Sequence, residues 1–220
     1  MIERLENTIQ IAVLLFCLLT ALYQAYKGKS NTWFLLALFF GCWLMGDLYW
    51  LLCLVFYDST PRISLVSDLN WYASYLFLYL MLRRVAPPEM SPKKRLLPWL
   101  GFVFSLLMAV FYFSRYIDWG MRLGEVYLLW DKALSNLVYG MLMGLLLFSA
   151  IHRLMDSRRF RDQRFLCMGI LFFCLMEYGL WTASCFWSGD SLANPYYWFD
   201  LMLTVSFLCL LPATKKAVTA

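Results

Sequence analysis

Seven apolar runs dominate this chain, each close to the roughly 20 residues that a helix needs to cross a bilayer. They cover Thr8–Tyr26, Trp33–Tyr57, Leu65–Leu82, Leu96–Tyr116, Val126–Ile151, Phe165–Trp187 and Tyr196–Leu211. Of 220 residues 62% are hydrophobic and only 15% charged, against an apolar usage of roughly 45–50% in soluble domains. A water-soluble fold has no interior large enough to hide that surplus. None of the runs alternates apolar and polar residues as a barrel strand does, and in lipid only helices or closed barrels satisfy their own backbone hydrogen bonds. The expectation is one all-α domain over residues 1–220, a polytopic protein of the cell membrane with seven transmembrane helices.

Charge gives that bundle a direction. Ahead of the first run stand Glu3 and Glu6 with Arg4, and after it come Lys27 and Lys29. A secretory signal carries its positive charge in front, so this run reads as a retained helix with an outward amino terminus. Basic residues then crowd alternate connections. Arg83, Arg84, Lys93, Lys94 and Arg95 follow the third run, Arg153, Arg158, Arg159, Arg161 and Arg164 follow the fifth, and Lys215 and Lys216 follow the seventh. The other connections hold few: Arg62 with Asp58, Arg115 and Arg122 with Asp118 and Glu125, and Asp190 alone. The positive-inside rule then puts the carboxy terminus in the cytoplasm. The net charge of +5 is a topology signal that calls for no nucleic-acid partner, although the basic loops suit anionic headgroups.

Neither a metal nor a cofactor is expected. The seven cysteines sit inside apolar runs with no CxxC pair, as small buried hydrophobes do. The single histidine, His152, reads as a solvated or headgroup-facing residue at a helix end. Trp33, Trp99, Trp119, Trp187 and Trp198 fall near run ends, where an interfacial aromatic belt is expected. All seven prolines, Pro212 included, fall in connections or at helix ends.

Helices one to three align with five to seven. LFFGCWLMGDLYW (38–50) matches LFFCLMEYGLW (171–181) with two residues gapped, and each string precedes a helix with an acid near its start, Asp68 or Asp200. That pattern reads as a three plus one plus three plan, in which the fourth helix restores orientation and the triplets are parallel repeats.

Ionisable residues inside a span cost about 2.5–3.5 kcal/mol each on insertion scales, so they are candidates for function. Here they are Asp47, Asp68, Asp131, Lys132, Glu177 and Asp200, all in the outer half given the orientation above. Asp68, Tyr72, Tyr75 and Tyr79 share one helical stripe by their spacing. Asp131 shares a face with Ser135, Lys132 with Asn136, Glu177 with Trp181 and Ser184, and Asp200 with Thr204. The expected site is an outward-facing cavity lined by Asp47, Asp68, Tyr72, Tyr75, Asp131, Lys132, Glu177, Trp181 and Asp200, which binds a small molecule. Beside that stands the bland reading of helix-to-helix hydrogen bonds, with Lys132 a plain counter-ion.

GDLYWLL (46–52) followed by SLVSDLNWYASYLFLYLMLRR (64–84) resembles the multi-helix membrane sensor modules that precede diguanylate cyclases and histidine kinases in bacteria. The resemblance covers helices two and three, and it implies ligand-side roles for Asp47 and Asp68. It also implies a stand-alone input module, or one that signals through a cytoplasmic partner at the basic loops. Two other functions stay open. A proton-coupled carrier uses a membrane carboxylate such as Asp47 or Glu177. An intramembrane lipid hydrolase uses paired carboxylates, but its metal-dependent forms need several histidines. Sensing or binding ranks first, and no catalytic residue is assigned.

Overall fold

The computed structural model describes residues 2–60, 65–85, 96–123, 128–155, 163–187, 189 and 191–219, without the side chains of 116, 118–123 and 128–134. The described residues form seven α-helices: α1 (Ile2–Gly28), α2 (Asn31–Phe56), α3 (Leu65–Val85), α4 (Leu96–Leu123), α5 (Leu128–Met155), α6 (Arg164–Phe186) and α7 (Pro195–Thr219). Six are long and apolar enough to cross a membrane: α1, α2, α6 and α7 over their whole lengths, α4 over Leu96–Arg115 and α5 over Ser135–Met155. The exception is α3. Its first half carries Ser67, Asp68, Asn70, Trp71, Tyr72, Ser74 and Tyr75, a polar content that lowers its mean hydropathy.

Local chemistry sets the helix ends. Lys29 takes a left-handed φ of 46° after α1, and the Ser30 N–H reaches back to the Ala25 carbonyl at 3.2 Å. That is a Schellman stop, built without the usual glycine. Asn194 accepts the Tyr196 N–H at 3.0 Å and starts α7, with Pro195 in the first helical position where its missing N–H costs nothing.

The structure departs from expectation at several points. The first helix begins at Ile2, six residues before the expected Thr8, which carries Glu3, Glu6 and Asn7 onto the bundle. Pro212 lies inside α7, which runs on to Thr219, so this proline takes an interior backbone donor from the helix. His152 is buried and stacks on Phe148, with planes 8° apart, rather than facing headgroups.

Six helices close a ring in the order α1, α2, α3, α5, α6, α7, with α7 returning to α1, and α4 lies outside it along α5 and α6. The ring's middle is aromatic. Trp43 of α2 has its ring centroid 5.1 Å from Phe207 of α7, 5.3 Å from Phe173 of α6 and 5.5 Å from Tyr75 of α3, and Phe39 lies 5.7 Å from Phe173.

The outer helix is held by close backbone approach. Gly140 and Gly144 of α5 lie four apart on one face, the small-xxx-small spacing that lets membrane helices meet. A Cβ on Gly140 would stand 2.6 Å from the Ala109 Cβ and 3.3 Å from the Ser105 backbone oxygen of α4. Across that contact Ser105 Oγ donates to the Gly140 carbonyl at 2.8 Å, and the Tyr178 hydroxyl of α6 donates to Ser105 Oγ at 2.5 Å.

Candidate functional site

One layer of carboxyls occupies the end of the ring where α1 begins and α2 ends. Asp47, Asp68, Glu177 and Asp200 are 3%, 2%, 3% and 5% exposed. Each is reached from a neighbouring helix. Trp71 Nε1 of α3 donates to Asp47 Oδ1 at 3.0 Å, and the Tyr75 hydroxyl of α3 donates to Glu177 Oε1 at 2.5 Å. Ser135 of α5 donates to Asp68 Oδ2 at 3.1 Å, and Gln10 Nε2 of α1 donates to Asp200 Oδ1 at 2.7 Å and to Thr204 at 3.2 Å. Within α6, Trp181 Nε1 donates to the same Glu177 oxygen at 2.9 Å, one turn along.

The spacing-based faces are therefore realised for Tyr75, Trp181 and Thr204. Tyr72 is half-buried on α3. Ser184 instead bonds the Trp181 carbonyl from an exposed position. The side chains of Asp131 and Lys132 lie outside the described residues.

Asp47, Glu177 and Asp200 lie within electrostatic reach of one another. A fourth acid joins them: Glu6 of α1 stands with its carboxyl against that of Asp200. Its place on the bundle follows from the early start of α1, which sequence reading missed by taking residues 1–7 as an exterior leader. Among the described residues no lysine or arginine pairs with Glu6, Asp47, Glu177 or Asp200, and the described ion pair, Arg4 with Asp58, sits outside on exposed side chains. No group of three or more described His, Cys, Asp or Glu residues is placed to hold a metal ion.

The chain matches no known protein family, no curated protein and no solved structure.

Three buried polar atoms there have no hydrogen-bond partner: Asp47 Oδ2, Glu177 Oε2 and the Tyr139 hydroxyl of α5. Glu6 Oε1 is a fourth, on a side chain whose other oxygen accepts from Asn7 at 3.1 Å. Buried polar groups are ordinarily satisfied, and each that is not lowers stability by about 1–3 kcal/mol. Tyr139→Phe removes one such group and keeps the ring. It is expected to raise stability by about 1 kcal/mol, read as a higher melting temperature in detergent.

Proposed function

We propose that the protein is an integral membrane sensor or small-ligand-binding module that takes its ligand at the acid layer. The observation that carries this reading is a set of buried carboxyls without a basic partner among the described residues. Four carboxyls from α1, α2, α6 and α7 converge with no basic partner among the described residues. A buried carboxyl without a basic partner costs the fold stability whether it is charged or neutral, and acids kept inside a span are candidates for binding. The aromatic middle supports binding over open conduction, because Trp43, Phe173 and Phe207 leave the layer closed on one side.

On this reading all seven helices span, with the amino terminus outside. The polar residues of α3 then face the layer they serve, as Tyr75 and Trp71 do. The basic inner connections are where a cytoplasmic partner would read a shift in helix packing. Cysteine placed at Asp58 and at Arg84 tests the span of α3 in intact cells. Labelling by an impermeant maleimide is expected at position 58 and, only after permeabilisation, at 84; equal labelling of both positions contradicts a seventh span.

A carrier is the second reading, and a specific observation favours it. The ring joins α3 to α5 and α7 to α1, the two junctions that a parallel repeat of three helices would make. Ser135 to Asp68 and Gln10 to Asp200 then become equivalent bonds, and the repeated Leu-Phe-Phe strings meet where Phe39 touches Phe173.

Binding is tested by melting the purified protein against a library of small metabolites beside Asp47→Asn and Glu177→Gln. A ligand of the native state raises the melting temperature by mass action. The expected result is a hit that loses its effect in either variant. A library without such a hit, with both variants melting at or above the parent, would make the acids purely structural.

A further inference from the structure

The unsatisfied atoms of the acid layer define what a ligand there must offer. Glu177 directs Oε1 at two aromatic donors and leaves Oε2 bare. Asp47 takes one donor, Trp71 on Oδ1, and its Oδ2 makes no hydrogen bond although the Trp43 indole is close by. Both acids are thus oriented acceptors that lack a donor. The third orphan, Tyr139, is 1% exposed and within electrostatic reach of Glu177. Its ring lies 5.2 Å from Trp181, 5.9 Å from Tyr75, 6.0 Å from Tyr178 and 6.2 Å from Tyr112. The surroundings of these groups are thus aromatic, with the Tyr139 ring packed edge to face against its tyrosine neighbours.

We infer that this site binds a small organic cation, an alkylammonium, with Glu177 and Asp47 as its counter-charge and Tyr139 and Trp181 as the aromatic faces that hold it. The inference rests on the binding reading above and gives that reading its ligand class. An anion finds no described basic side chain at these carboxyls, and a neutral solute offers them no counter-charge when they ionise. A hard metal ion wants a full shell of about six oxygens, whereas two bare carboxylate oxygens and one hydroxyl are available here. An alkylammonium gives up less hydration, donates or presents positive charge to the two oxygens, and gains cation–π attraction from the rings. The Tyr139 hydroxyl accepts from an ammonium N–H or bonds a hydroxyl on the ligand.

The test uses the full chain in lipid nanodiscs, with ethylammonium and choline as probes. The uncharged carbon isostere of choline and sodium chloride at equal ionic strength serve as controls. Both cations are expected to raise the melting temperature, and neither control should. Choline affinity by calorimetry is expected to fall about tenfold or more in Glu177→Gln and about tenfold in Trp181→Leu. Tyr139→Phe should weaken choline several-fold while melting no lower than the parent when empty, which separates a binding role from a folding defect. Equal shifts by cations in the parent and in both Glu177→Gln and Trp181→Leu would be a salt effect and overturn the inference. If instead neutral or anionic members of the metabolite library bind in a Glu177-dependent way and the cations do not, the ligand class is wrong and the binding reading stands. If no compound of any charge binds, both fall.

Discussion

Gly140→Leu is expected to lose about 3 kcal/mol or more of stability, among the largest effects of any single substitution in the chain. An added Cβ would meet the Ala109 Cβ at 2.6 Å and the Ser105 carbonyl oxygen at 3.3 Å. The second contact is backbone, so no rotamer change relieves it, and α4 has to move away from α5. Overpacking alone costs about 1–3 kcal/mol. The displacement also breaks the bond from Ser105 to the Gly140 carbonyl and strands the Tyr178 hydroxyl, adding about 1–3 kcal/mol for a buried group left unmade. Gly41→Ala is the control, since its Cβ meets only the Leu18 side chain at an ordinary 3.7 Å. Unfolding in mixed detergent should show Gly140→Leu far below the parent and Gly41→Ala close to it; similar midpoints for the two would contradict the close α4–α5 approach.

Glu177→Ala is expected to be less stable than Glu177→Gln by about 2 kcal/mol or more. Removal of the carboxyl leaves the fully buried Tyr75 hydroxyl and the Trp181 N–H without an acceptor, each worth about 1–3 kcal/mol when orphaned. Glutamine keeps a carbonyl oxygen in the place of Oε1. The comparison between the two variants isolates the hydrogen bonds from the charge, because both lose the charge. Equal stability of the two would mean that Tyr75 and Trp181 do not depend on Glu177.

Much of the site was legible in periodicity. Glu177 and Trp181 one turn apart, Asp200 and Thr204 one turn apart, and the stripe from Asp68 to Tyr75 follow from 3.6 residues per turn, and the buried bonds at Asp68, Glu177 and Asp200 agree with it. Which acid meets which donor was not legible, because that depends on ring order. Nothing local in Gln10 says that α1 closes against α7, nor in Tyr75 that α3 faces α6. Glu6 was lost to a boundary: a window that seeks an apolar run begins at Thr8, whereas backbone hydrogen bonding continues the helix through polar residues to Ile2. The exclusion of α4 had a signal that periodicity of polar residues passes over, the two glycines in YGMLMG (139–144). His152 was misplaced because its neighbour Arg153 suggested solvent, while both side chains turn inward and are buried.

The most direct measurement on the acid layer is the infrared difference spectrum in the carboxyl stretching region, recorded as choline is washed over the protein in nanodiscs and repeated for Glu177→Gln. A ligand seated on the bare oxygens of Glu177 and Asp47 changes the hydrogen bonding of those groups, so a carboxyl difference band is predicted in the parent, reduced or displaced in the variant. Binding of choline without any carboxyl band, or with a band identical in Glu177→Gln, would contradict a ligand site built on the acid layer.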